Sequence, residues 1–185
     1  TSTVTVQTAV ASIESTYYSS LTDAVNDVTT ATIILLQDQV EDVNIASDKN
    51  ITLNLNNKTL TGTIANNGNL DLSGGTIYIE NNSALANFGT VNFYSGKIKS
   101  KGGWTVVNTI SGTFTMTGGT IEYITNNSNG SAFMNQGKVN MSGGSIIAGE
   151  FGLVSEGNGA YAVVTGGTIE ATANIVQPAL LSRNG

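Results

Sequence analysis

An all-β fold, a parallel β-helix (solenoid) of about six to seven coils, is what this sequence predicts, and three observations carry that expectation. First, a short segment recurs: NLDLSGGTIYI from residue 69, TVNFYSGKIKS from 90, TFTMTGGTIEY from 113, KVNMSGGSIIA from 138 and AVVTGGTIEA from 162, with a degenerate copy, TLNLNNKTLTG, from 52. Aligned on Leu60, Ile77, Ile98, Ile121, Ile146 and Ile169, the copies are spaced 17, 21, 23, 25 and 23 residues apart. Second, apolar residues alternate strictly inside each copy, as in Leu70 and Leu72 or Phe114 and Met116, which is the period of a strand with one buried face. Third, a Gly-Gly or Ser-Gly pair follows and no copy contains a helical pattern, so strand leads to turn and not to a crossover helix. Leucine-rich repeats would need LxxLxL spacing, and propeller blades would need about 40 residues each.

Taken from the N-terminus, residues 18 to 28 (YSSLTDAVNDV) predict a short capping helix. Leu21, Ala24, Val25 and Val28 fall on one face, Ser20 or Thr22 is available as N-cap, and Asp23 lies in the first turn. A solenoid end exposes strand edges and core, so a cover is required there. The apolar run Ile33 to Leu36 reads as the first buried strand. The coils then place Leu53, Leu70, Val91, Phe114 and Val139 in one inward column, and Leu55, Leu72, Phe93, Met116, Met141 and Val164 in the next. Coils stacked ~4.8 Å apart bring these side chains into contact like on like. Asn66, Asn87, Asn108 and Asn135 form a further column, read as structural. Asn tolerates left-handed backbone at a tight turn, and its amide can bond to the coils above and below. The chain is expected to be one domain over 1–185, with 1–49 as cap and first strands and 50–185 as repeated coils. Residues 171 to 185 show no helical cap, so the C-terminal end is expected to be open, continued or paired with another copy.

Composition narrows function by exclusion. The 185 residues include no Cys and no His, which removes disulfides, Cys or His zinc sites, thiol nucleophiles and Ser-His-Asp triads. The formal charge of -6 argues against nucleic acid and anionic membranes. All of it lies in the first 49 residues, where Glu14, Asp23, Asp27, Asp38, Glu41, Asp42 and Asp48 face only Lys49. No window approaches 18 uninterrupted apolar residues, so no membrane insertion is expected.

The stretch YYSSLTDAVNDVTTATIILLQDQ, followed by VNIASDKNITLNLNNKTLTG and the SGGTI coils, resembles the right-handed parallel β-helix proteins of the pectin lyase-like superfamily. More narrowly it is similar to β-helical modules of bacterial surface and adhesin-like proteins. The resemblance covers nearly the whole chain. It implies a right-handed solenoid, a bacterial extracellular location, and a glycan or a cell-surface protein as partner. Enzymes of that superfamily work in a groove floored by one parallel sheet, with clustered Asp for hydrolysis or calcium-binding carboxylates and a base for elimination. Here the outward positions between the core columns are Asn54, Asp71, Asn92, Thr115, Asn140 and Val163, a column with a single carboxylate. Hydrolysis needs two. The chain is therefore expected to be a non-catalytic adhesive or stalk module without a cofactor. A carbohydrate-active enzyme or a phage tail-spike-like fibre fragment is the alternative.

Calcium-binding β-rolls follow GGxGxD, but these glycine pairs run GGTI or GGSI with no Asp behind them, so no metal is assigned. A lone Ca2+ would fall to loop carbonyls or to Asp38, Glu41 and Asp42. The outward residues after each anchor are Thr61, Tyr78, Lys99, Glu122, Ile147 and Glu170, which sets Lys99 between Tyr78 and Glu122. The bland reading is a surface ion pair. The sharper one joins Lys97, Lys99, Lys101 and Glu122 with Tyr78, Tyr94 and Trp104 in a ligand-facing patch, because aromatic faces stack on sugars and lysines attract acidic groups. Tyr123, aligned with Ile79, is expected inward or at a corner. The longest loop, Thr125 to Ser131, is too short to build a deep wall.

Overall fold

The computed structural model describes residues 8–124, 130–172 and 178–183, and it is a β-solenoid of about seven turns. Each turn contributes one strand to each of three sheets. In the second turn the strands are Asn50–Asn54, Thr59–Thr61 and Ile64–Asn66. Every strand from Thr30 onward pairs in parallel with its counterpart one turn away. The anchor column stacks as expected, Leu60 on Ile77, Ile98, Ile121, Ile146 and Ile169.

The first turn consists of Thr30–Leu35, Gln39–Val40 and Val43–Ile45, inside the region assigned to cap and first strands. The first strand therefore begins at Thr30, not Ile33, and it is not the first in the chain. An antiparallel hairpin, Ala11–Ile13 with Thr16–Tyr18, precedes it and pairs antiparallel with Thr30–Leu35. Ala11–Ile13 makes that pairing, so the hairpin covers the edge of the first solenoid strand. The helix is Leu21–Asp27, with Leu21, Ala24 and Val25 buried and Ser20 as N-cap, its hydroxyl accepting from the Asp23 amide at 2.9 Å. Val28 packs against the core just beyond the helix end.

The expected columns need one correction in their first member. Leu53 lies beside Leu72, and Ile51 lies beside Leu70. The two interior files are therefore Ile51, Leu70, Val91, Phe114, Val139 and Leu53, Leu72, Phe93, Met116, Met141, and Val164, expected to end the second, holds its register position but is exposed. The outward position between them is accordingly Thr52, not Asn54. Ile51, Leu53 and Leu55 are three alternating inward residues, and a slip of two preserves every facing, so periodicity alone does not choose between the registers. Corner geometry does. The second turn has a wider corner, made by Asn56 and Asn57 in left-handed backbone (φ 49° and 59°) and closed by the Lys58 amide on the Leu55 carbonyl at 2.7 Å. Leu55 is buried in that corner rather than in a file.

Later corners turn on glycine. Gly119 has φ +79°, and a Cβ there would meet the Phe93 ring at 2.5 Å, so both backbone and space demand glycine. At the C-terminal end Val163, Val164 and Leu180 are exposed apolar residues, unlike their counterparts inside the stack.

Candidate functional site

The residues singled out in the sequence fall into three places. The first is the outer face of the second sheet. Lys99 lies between Tyr78 and Glu122, and its Nζ is 2.8 Å from the Glu122 carboxylate, both side chains about a quarter exposed (23% and 31%). Lys101 pairs with Glu80 at 2.9 Å and sits 5.9 Å from the Tyr78 ring centre, while the Tyr78 hydroxyl donates to the same carboxylate. These groups satisfy one another. The Tyr78 hydroxyl and then the Lys101 ammonium hold the Glu80 carboxyl below the usual value, and Glu80 in turn raises Lys101. A carboxyl with a lowered pKa stabilises the fold above its unfolded value of about 4.3 and stops doing so as pH falls through the folded value. Tyr78→Phe is expected to move the Glu80 titration back upward, read by NMR of its side-chain carboxyl. An unmoved midpoint would show that the hydroxyl plays no part.

The second place is the corner between the first and second sheets. Tyr94, 47% exposed, follows Thr90–Phe93, and Lys97 opens the strand Lys97–Ser100 beside a shallow hollow with Gly75, Thr76 and Gly96. The third is Trp104, on the far side of that strand. The seven residues proposed as one patch are thus divided among a sheet face and the corners on either side of it. Geometry supplies the reason: Trp104 follows the strand end at Ser100 and lines the corner with the third sheet.

Trp104 instead helps to form a cleft of about 540 Å3 at the corner of the second and third sheets. Trp104, Tyr123 and Phe151 supply aromatic walls, Met134 and Val154 line it from the third sheet, and Glu150, Glu156 and Arg183 bring charge. Tyr123 is fixed by its hydroxyl, which donates to the Lys101 carbonyl at 2.8 Å, and by packing against the core. The Arg183 guanidinium lies 5.9 Å from the Phe151 ring centre and 3.7 Å from Glu156. Val154 points outward yet is only 2% exposed. Most of this lining was missed in the sequence, although a signal was present. It is the apolar residue before each Asn: Ala65, Ala86, Val107 and Met134. In a three-residue strand whose first and last residues face inward, the middle one faces out, so these form an external apolar stripe continued by Val154 and Leu181. The loop 125–129 lies outside the described residues.

The Asn column is a buried ladder. Each Nδ2 donates to the amide oxygen one turn on, Asn66 to Asn87 (2.9 Å), Asn87 to Asn108 (2.7 Å) and Asn108 to Asn135 (2.8 Å), ending on the Ser155 hydroxyl at 2.9 Å. These asparagines are in strand conformation, not left-handed as expected; the positive φ values belong to Asn56 and Asn57. The amide, rather than the backbone, is what the position selects.

The carboxylates considered for calcium are engaged elsewhere. Glu41 accepts from the Leu21 amide at 2.8 Å and from the Thr22 amide and hydroxyl at 3.0 and 2.7 Å, so with Ser20 it satisfies the open N–H groups of the helix. Asp38 accepts from the Thr59 amide and Asp42 from the Thr63 amide. Among the described residues no group of three or more acidic side chains is placed to hold a metal ion. Glu41→Ala is expected to cost about 2–3 kcal/mol in urea unfolding, because two part-buried amides lose a charged acceptor. A change under about 0.5 kcal/mol would mean that water replaces the carboxylate freely.

On the outer face of the first sheet Asp71 accepts from Asn92 at 2.8 Å and is the one carboxylate of its column. Comparison of the chain with protein-family models, with curated proteins and with solved structures finds no match.

Proposed function

We propose that this chain is a non-catalytic β-helical module of a bacterial cell surface, a rod that presents a glycan-binding cleft. The observation that carries this reading is the cleft walled by Trp104, Tyr123 and Phe151, with charged groups at its margin. Aromatic faces beside hydrogen-bonding groups suit a sugar ring, which has one apolar face and a polar rim. The surface location rests on the resemblance to β-helical adhesin-like modules of the pectin lyase-like superfamily. The site differs from the lysine-centred patch expected from sequence, because the lysines beside Tyr78 are occupied by Glu80 and Glu122.

A glycan-array screen of the purified chain tests the reading. Binding should be lost or weakened at least about tenfold in Trp104→Ala, a partly exposed position whose loss leaves the interior files intact. Binding unchanged in that variant would move the site elsewhere, and the absence of any bound glycan would remove the proposal. One observation favours an enzyme instead: Glu150 and Glu156 line the same cleft, and paired carboxylates are what glycoside hydrolysis uses. Release of reducing sugar from a bound oligosaccharide, abolished in Glu150→Gln, would decide for hydrolysis. Self-association through the exposed apolar C-terminal end belongs to the same proposal. Sedimentation that finds only monomer would discard it, and a trimer would favour the tail-spike-like alternative.

A further inference from the structure

The cleft carries a charge imbalance that specifies its ligand more narrowly. Two carboxylates, Glu150 and Glu156, line it with one cation, Arg183. Arg183 is already committed to Glu156 at 3.7 Å and to the Phe151 ring. Glu150 is half-buried and pairs with no Lys or Arg among the described residues, and the remaining stretches of sequence contain neither residue. A partly desolvated carboxylate without a counter-charge is unfavourable, and a ligand that brings a cation relieves it. The aromatic walls act in the same direction, since the faces of Trp, Tyr and Phe attract cations, Trp most strongly.

We infer that the cleft selects a sugar bearing a free, protonated amine, an amino sugar that has not been acylated, over neutral and acidic sugars. This rests on the reading of the cleft as a glycan site. The ring lies against the aromatic wall and the ammonium faces Glu150. A uronic acid would instead place its carboxylate against Glu150 and Glu156, so acidic polysaccharides are disfavoured. That reverses the preference expected from the lysines of the second sheet.

The test is a calorimetric titration at about pH 6, where most such amines are charged. The probes are glucosamine oligomers, N-acetylglucosamine oligomers of equal length and oligogalacturonate. The expected result is at least about tenfold tighter binding of the free-amine oligomer than of its acetylated counterpart, weakening as salt is raised, and no binding of oligogalacturonate. Glu150→Gln, checked for folding by circular dichroism, should abolish the preference for the free-amine oligomer. Equal affinity for the two oligomers, or a preference that survives in Glu150→Gln, overturns the amine inference and leaves the glycan reading standing. If no oligomer binds, the amine inference falls and the glycan array decides the wider reading; if Trp104→Ala binds every oligomer as wild type does, the site lies elsewhere and the inference falls with it.

Discussion

Ile121→Asp is expected to abolish folding of the coils around it, whereas its neighbour Glu122→Ala should shift stability by less than about 1 kcal/mol. Ile121 is fully buried, stacked between Ile98 and Ile146, and the nearest side chains above and below in its file are hydrocarbon. Replacing it forfeits about 2–5 kcal/mol of packing, and burying an unpaired carboxylate adds several more. The sum rivals the about 5–15 kcal/mol that holds a typical domain together. Glu122, one residue on, faces outward and makes only a partly exposed ion pair with Lys99. Circular dichroism with urea unfolding of both variants checks the pair. Equal effects would mean that the facing of the second sheet is wrong. Because each turn touches only its neighbours, loss at this level can also leave a folded N-terminal segment, which limited proteolysis would detect as a fragment ending before Gly118.

The anchor file was legible because its signal is redundant: an inward residue in every copy, a glycine pair just before most of them, and outward polar partners that alternate with it. The N-terminal hairpin was not. Ala11–Ile13 and Thr16–Tyr18 are three residues each, too short for periodicity to rise above chance, and their role depends on pairing with Thr30–Leu35, which a local pattern does not encode. The slip at Leu53 has a similar origin. Motif similarity aligned LNL (Leu53–Leu55) with LDL (Leu70–Leu72), but a corner of different width joins the first strand of the second turn to the next, and only tertiary pairing fixes that register. For the cleft, the aromatic Trp104 was singled out while its partners were sought on the outer face of the second sheet. Phe151, Glu156 and Arg183 reach it across turns, from loops and from the end of the third sheet. Stacking order could be read from the repeats; corner geometry, on which the cleft depends, could not.

Asn108→Asp is the second change expected to be severe, although it exchanges only one amide nitrogen for oxygen. The Asn108 Nδ2 donates to the Asn135 side-chain oxygen (2.8 Å) and to the carbonyls of Lys138 (3.1 Å) and Gly112 (3.2 Å), while its Oδ1 accepts from Asn87. Aspartate would aim an oxygen at three acceptors in a site with no exposure to water. With about 1–3 kcal/mol for each group left unsatisfied, the cost should exceed about 4 kcal/mol at neutral pH, well above that of a surface Asn. Burial and the surrounding acceptors both disfavour the charged form, so the new carboxyl should titrate above its unfolded value of about 3.9. The variant binds its proton more tightly when folded, so its penalty should shrink as pH falls toward about 4, where the protonated group can again donate once. Urea unfolding at neutral and mildly acidic pH, with wild type alongside, checks this. A variant that loses no stability at neutral pH, or whose deficit is the same at both pH values, would show that the ladder is not the buried, directional chain of amides described above. Asn108→Ala separates the two contributions. It breaks the same bonds without introducing a charge, so it should be destabilised to a lesser extent and without the pH dependence.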